Sequence, residues 1–357
     1  MIHQENLTKK WIEKISKKHH GADKILVEKV IRALLLLEGL VKQDMSFVFK
    51  GGTALMLHLD SARRLSIDID IILPKGTDMK KEWLDALVKE QGFLRWELQE
   101  RVARSGIQKE HYKFYYTPLH RTNKPEEYVL LDILFEETLY TGTEHLPIQS
   151  SFVPQTGNPL LVPIPSIEDL LADKLTAFAP NTTGIPYAKN GDSMSLEIIK
   201  QLYDIGTMFD LAENLNIIKT TFEKFALAEL SYRDNAVATP LDVLDDIFAT
   251  SLSVSTRGSD GGGNFDELQA GIGRIRSFIF SERYHLEKAI THATKAAYLA
   301  MLIKHDATAI EKYKSPEVMK EWMIESPGFT RLNKLKKSNP EAFFYWYKMH
   351  LLTMEKQ

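Results

Sequence analysis

Lys50-Gly51-Gly52-Thr53-Ala54-Leu55, followed by Arg64-Leu65-Ser66-Ile67-Asp68-Ile69-Asp70, is the stretch that decides the reading of this chain. Phe47-Val48-Phe49 ahead of it reads as a short buried strand, and Ala54 to His58 reads as a helix. The two glycines between them allow a tight turn. A helix start presents unpaired N–H groups and a partial positive charge, which suits a phosphate, and Thr53 could add a hydroxyl donor. An ordinary strand-to-helix turn would carry the same residues, because glycine pairs are common in turns.

Ser66 to Leu73 alternates polar and apolar residues until Pro74, which predicts a strand. Side chains two apart on a strand share a face, so Asp68 and Asp70 should project together and Ile67, Ile69 and Ile71 to the other side. Adjacent carboxylates repel unless water screens them or a cation sits between them. A divalent ion with oxygen ligands, Mg²⁺ above all, fits the second case. Asp132 stands in Val129 to Phe135, a strand otherwise wholly apolar. An isolated buried carboxylate is costly. Asp132 therefore reads either as a partner of an unseen Lys or Arg, or as a third acid on the edge that carries Asp68 and Asp70. Three converging carboxylates match two-metal phosphoryl-type transfer.

Lys174 falls within the apolar stripe Ile167, Leu170, Leu171, Leu175, Phe178 of a helix expected to start at Ser166, where Asp169 gives a near capping-box spacing. A lysine on that face either snorkels to the edge or meets an anion, for which a nucleotide phosphate is a candidate. Asp204 is harder to single out. By composition and spacing it reads as a surface aspartate.

The chain has 357 residues, a length that suggests about two domains. It is 44% hydrophobic and 26% charged, which argues against wholesale disorder. Cysteine is absent, which excludes disulfides, cysteine nucleophiles and cysteine-ligated metal sites. Lys and Arg number 45 against 48 Asp and Glu, a net charge of −3, so any attraction to a polyanion must be local. The richest apolar run, Ala33 to Leu37, is too short for a membrane span, and Met1 to Glu5 lacks the apolar core of a signal peptide. The expectation is a cytoplasmic protein with no membrane partner.

The periodicity predicts helices over 8–20, 22–40 (with Gly39 as the stop) and 79–92. Strands are expected over 94–104, 111–117 and 128–135, then a proline-punctuated connection over 151–165. Beyond residue 190 the pattern is helical, over 194–213, 217–230, 240–250, 265–281, 284–304 and 340–352, with a mobile glycine-rich loop expected over 251–264. The fold class is α+β, with an α+β domain over 1–190 and a helical domain over 191–357. Near the C-terminus Arg331, Lys334, Lys336, Lys337 and Lys348 mix with Phe343, Phe344, Tyr345, Trp346 and Tyr347. That mixture suits stacking on unpaired bases, but a helix packing its aromatics into the core reads better. Arg274 and Arg276 offer a second basic patch.

The two opening motifs, with Leu131-Asp132-Ile133, Asp169-Leu170-Leu171-Ala172-Asp173-Lys174-Leu175 and Leu202-Tyr203-Asp204-Ile205 in the same order, resemble the AbiEii-like nucleotidyltransferase toxins. That family includes the MenT toxins and belongs to the DNA polymerase β-like nucleotidyltransferase superfamily. The resemblance covers residues 47–210. It implies a nucleotidyltransferase-fold N-terminal domain, a mixed sheet flanked by helices, followed by a mostly helical domain. It implies Lys50, Gly51, Gly52, Thr53, Ser66 and Lys174 as nucleotide-binding residues and Asp68 and Asp70 as metal ligands. Asp132 would be the third acid or the base, and Asp204 a further active-site acid. Two departures stand out: the superfamily usually has Gly-Ser where this chain has Gly52-Thr53, and the gap to Asp68 is longer.

The implied activity is Mg²⁺-dependent transfer of NMP from an NTP, with two ions. The implied acceptor is RNA, the 3′ end of tRNA above all, in a bacterial toxin–antitoxin or phage-defence system with a cognate antitoxin. Transfer to a protein side chain, and a non-catalytic nucleotide- or antitoxin-binding module, are the alternatives.

Overall fold

The computed structural model describes residues 2, 7–59, 63–99, 108–120, 122–233 and 237–354. By contacts the chain forms two compact units. One is Met1–Ser166 with Arg276–Arg283, and the other is Ile167–Ile275 with Tyr284–Gln357.

The first unit opens with α1 (Lys9–Lys18) and α2 (Lys24–Lys42), followed by β1 (Val48–Lys50), α3 (Gly51–His58), β2 (Ile69–Leu73) and α4 (Lys81–Gln91). Then come β3 (Arg95–Leu98), β4 (Lys109–Tyr116), β5 (Glu127–Phe135), β6 (Thr143–Pro147) and β7 (Leu161–Pro165). Of the expected strand over 94–104, residues 100–104 lie outside the described residues. A five-stranded mixed sheet has the order β1-β2-β5-β4-β3, with β2 and β5 parallel and the other pairs antiparallel. β5 alternates cleanly: Val129, Leu131, Ile133 and Phe135 are buried, while Tyr128, Leu130, Asp132 and Leu134 are half-buried. Helices α2 and α4 pack with this sheet and with each other.

Three local features depart from the sequence pattern. Strand β2 starts at Ile69, not Ser66, so Asp68 precedes it. Pairing ends there on both sides: β1 reaches only to Asp70 and β5 only to Ile69, and the Asp68 carbonyl accepts from the Thr53 hydroxyl. Gly39 does not stop α2, which runs on to Lys42. A Cβ at Gly39 would lie 2.7 Å from Leu87 and from Gln91, so the glycine permits close approach of α4. The proline-punctuated stretch holds β7, paired with β6 as a two-stranded sheet in which every strand is an edge and proline is tolerated. The returning segment Arg276–Arg283 joins this unit through the Leu65 N–H, which donates to Phe278 O at 2.8 Å, and a bridge between Arg64 and Ile279.

The second unit contains α5 (Ile167–Ala177), a small hairpin of β8 (Ala188–Lys189) and β9 (Asp192–Ser193), α6 (Ser195–Phe209), α7 (Leu215–Tyr232) and α8 (Pro240–Ser255). It continues with α9 (Phe265–Arg274), α10 (Leu286–Lys304), α11 (Leu335–Ser338) and α12 (Pro340–Met354). The division falls at Ser166, ahead of the expected 190, because α5 packs against α6 and α7. Residues 256–264 lie against α8: a Cβ at Gly261 would meet Ala249 O at 2.4 Å.

Phe343, Phe344, Tyr345 and Trp346 are buried, with Phe209 against Tyr345 and Phe248 against Trp346 edge to face. Nearby bases are paired within the chain, Arg331 with Asp260 at 2.8 Å and Lys348 with Glu311 at 2.7 Å. The packed-helix reading of this segment holds for these residues. Arg274 bonds the hydroxyls of Ser193 and Ser195. Among the described residues no helix is long and apolar enough to cross a membrane.

Candidate active site

Four strands of the first unit bring polar residues into one row. The register sets Lys50 opposite Asp70, Asp70 beside Asp132, and Asp132 opposite His111. Register partners share a face, and adjacent strands lie about 4.8 Å apart, so the row crosses the half-buried face of the sheet. The apolar residues between them, Phe49, Ile71, Ile133 and Tyr112, are buried on the opposite face. Asp70 and Asp132 are thus neighbours on the parallel pair β2–β5.

Chain geometry holds the glycine turn against this row. Gly51 has φ +81°, in the left-handed region that favours glycine, and a Cβ there would lie 2.1 Å from Asp70 Oδ2. A Cβ at Gly52 would lie 2.6 Å from both Ser66 Oγ and Arg64 Nη2. Arg64 is buried, and sequence reasoning assigned it no role. The Thr53 hydroxyl, read above as a possible phosphate donor, is buried and donates to Asp68 O at 2.7 Å. It fastens the start of α3 to the segment leading into β2. Lys50 reaches over the Tyr140 ring at 5.9 Å.

Asp132 has a partner that is neither Lys nor Arg. Its Oδ1 lies 2.6 Å from His111 Nδ1, with side-chain exposures of 31% and 12% respectively. The donor set of Asp68, Asp70 and Asp132 is all carboxylate oxygen, the kind a hard divalent cation takes, and the bare Gly51 backbone beside Asp70 leaves room at that oxygen. Among the described residues, no three His, Asp or Glu side chains are grouped closely enough to hold a metal ion.

The second unit holds the other two candidates. Lys174 on α5 and Asp204 on α6 form an ion pair at 3.4 Å. Asp204 is 1% exposed, which overturns its reading as a surface residue. Helix α6 packs against α5, α9 and α10, so its buried surface extends beyond one stripe. A Cβ at Gly206 would lie 2.1 Å from the His292 ring, which marks how closely α6 and α10 approach. Lys174 thus meets an anion of its own chain. Asp169 accepts from the Thr221 hydroxyl at 2.5 Å and links α5 to α7. At the far end of α6, Lys312 lies over the Phe209 ring at 4.0 Å and donates to the Phe209 carbonyl. Burial is the main cause that lowers its pKa to about 8.

A mixed sheet whose first strand turns through two glycines onto carboxylates of adjoining strands is the arrangement of a nucleotidyltransferase. The sequence profile of the nucleotidyl transferase AbiEii toxins of type IV toxin–antitoxin systems matches residues 35–306, and the chain belongs to that family. Solved structures similar to this chain include the following two. MenT4, a nucleotidyltransferase toxin from Mycobacterium tuberculosis, is 14% identical over 81% of this chain and 89% of its own, with a TM-score of 0.46. JHP933 from Helicobacter pylori is 15% identical over 84% of this chain and 94% of its own, with a TM-score of 0.42. No curated protein matches the sequence. Membership carries nucleotidyltransferase chemistry of a toxin–antitoxin system, an NTP substrate and an antitoxin partner.

Proposed function

We propose that the protein transfers NMP from an NTP to an RNA hydroxyl, with the 3′ end of tRNA as acceptor. In this reading it is the toxin of a bacterial toxin–antitoxin or phage-defence pair in the cytoplasm. The observation that supports this best is the placement of Asp70 and Asp132 side by side on β2 and β5, with the Gly51 backbone against Asp70. The acceptor oxygen bonds to the α-phosphorus, the bond from that phosphorus to the bridging oxygen breaks, and pyrophosphate leaves. Asp68, Asp70 and Asp132 would hold two Mg²⁺ ions, which supply charge for the triphosphate and make the acceptor hydroxyl more acidic.

The chain's own groups do the rest. The N–H groups at Gly51 and Gly52, the Ser66 hydroxyl and the Lys50 ammonium bind phosphate oxygens. The Asp132 carboxylate takes the proton of the attacking hydroxyl. Lys174 neutralises phosphate charge, and Asp204 fixes the direction of its ammonium. Each preorganised charge of this kind stabilises the transition state without rearranging when the reaction occurs.

The test is incubation of the protein with each α-³²P NTP, Mg²⁺ and total cellular RNA, followed by separation of RNA and protein on gels. Label at the 3′ end of tRNA supports the reading. Label on protein moves the acceptor to a side chain, and no label in either refutes transfer.

A further inference from the structure

His111 is the one member of the row across the sheet that neither the motifs nor the family's pattern, as set out above, assigns. We infer that His111 is a positioning residue for Asp132: its Nδ1–H holds Oδ1, fixing the carboxylate so that Oδ2 is presented to the reaction. The inference rests on the reading that Asp132 is the working third acid. Three observations carry it. The contact is 2.6 Å, shorter than an ordinary nitrogen–oxygen hydrogen bond. The two residues are direct register partners on β4 and β5, so their backbones fix the approach. The imidazole is only 12% exposed, and the backbone of His111 is tied on its other side, where Gln99 N–H donates to His111 O at 2.7 Å.

The chemistry sets the direction of the bond. An ionised carboxylate only accepts, so the hydrogen sits on Nδ1. The neutral Nδ1–H tautomer and the imidazolium both satisfy this, so the role does not depend on a titration. An aspartate on a strand has two soft side-chain torsions, and an unrestrained carboxylate would sample several orientations beside Asp70. A buried donor at one oxygen leaves a single orientation. Comparable supporting bonds to metal-binding groups are worth about 10–100-fold in metal affinity or activity.

The experiment compares full-length wild type with His111→Leu, His111→Asn and Asp132→Asn. It reads NMP transfer, the Mg²⁺ concentration for half-maximal rate, and thermal melting. Leucine removes the donor, whereas the asparagine Nδ2 sits close to the position of the imidazole Nδ1. His111→Leu should lower turnover about 10–100-fold and raise the Mg²⁺ requirement about tenfold, and His111→Asn should recover to within about threefold of wild type.

A purely structural contact would lower melting without changing the Mg²⁺ requirement. That result, or an asparagine variant as impaired as the leucine one, overturns the inference. If His111→Leu does not fold, ¹⁵N imidazole spectra of the wild type decide: a protonated Nδ1 supports the inference and a bare Nδ1 overturns it. Asp132→Asn separates the two levels. An active Asp132→Asn refutes the reading of the site itself, whereas an inactive one beside a fully active His111→Leu refutes only the role of His111.

Discussion

Replacing Gly51 by alanine separates the site from the stability of the fold. Two effects are built into the position. The first is its φ of +81°, which for an L-residue costs about 1–2 kcal/mol. For a domain of this size that is a fall in Tm of roughly 2–8 °C. The second is contact: the new Cβ would lie 2.1 Å from Asp70 Oδ2 and 2.8 Å from its Cγ, inside the 3.0 Å that real Cβ atoms keep. The carboxylate must retreat by about 1 Å, and a misplacement of that size can cost on the order of 100-fold in rate. Gly76 is the matching control, with φ +80° and nothing within 4 Å of its would-be Cβ. Gly51→Ala and Gly76→Ala should therefore lose similar Tm in a melting experiment. In an α-³²P NMP transfer assay, Gly76→Ala should match wild type and Gly51→Ala should fall about 100-fold. Equal activity of the two variants would refute the reasoning that Asp70 works where it stands.

Gly52→Ala places a Cβ 2.6 Å from Ser66 Oγ and Arg64 Nη2, so steady-state kinetics should show a raised KM for NTP. An unchanged KM would remove this turn from phosphate binding. Expression of the wild type without its antitoxin should arrest bacterial growth, and Lys174→Ala should relieve the arrest at matched protein level. Because Lys174→Ala removes the ion partner 3.4 Å from the buried Asp204, it should also lower stability, read by denaturant unfolding. Lys312, lowered by burial from the usual 10.5 to about 8, sheds its proton in the native state before the unfolded chain does. Between about pH 8 and 10.5 the unfolded state then binds more protons, so the contribution of this group to stability rises with pH. Melting curves of wild type should show that rise, and those of Lys312→Met should lack it.

Much of this was legible from residue pattern alone, and the rest was not, for identifiable reasons. Asp132 stands out because it interrupts an apolar run, and Asp70 because polar and apolar residues alternate from Ser66 to Ile71. Most helices beyond residue 194 followed from periodicity, since long apolar repeats survive errors at their ends, but the helix expected over 265–281 ends at Arg274 and Ile279 bridges to Arg64. His111 was invisible: its meaning depends on the register of β4 against β5, which local sequence does not set. Asp68 reads as part of the strand because alternation continues through Ser66, although pairing with β5 stops at Ile69. Asp204 was misjudged because a helix packed against several neighbours buries positions that an amphipathic pattern assigns to water. The strand β7 hid behind Pro163 and Pro165, which fit a two-stranded sheet and would not fit a central strand.

The central claim is that Asp70 and Asp132, register neighbours on β2 and β5, act together on one reaction. It is tested most directly by the rates of pyrophosphate release from NTP, with RNA and Mg²⁺, for Asp70→Asn, Asp132→Asn and the double variant. Residues that act as a unit are strongly non-additive. The account predicts that each single variant loses nearly all activity and that the double variant is no slower than either. Single variants near wild-type rate, or losses that multiply in the double variant, would contradict it.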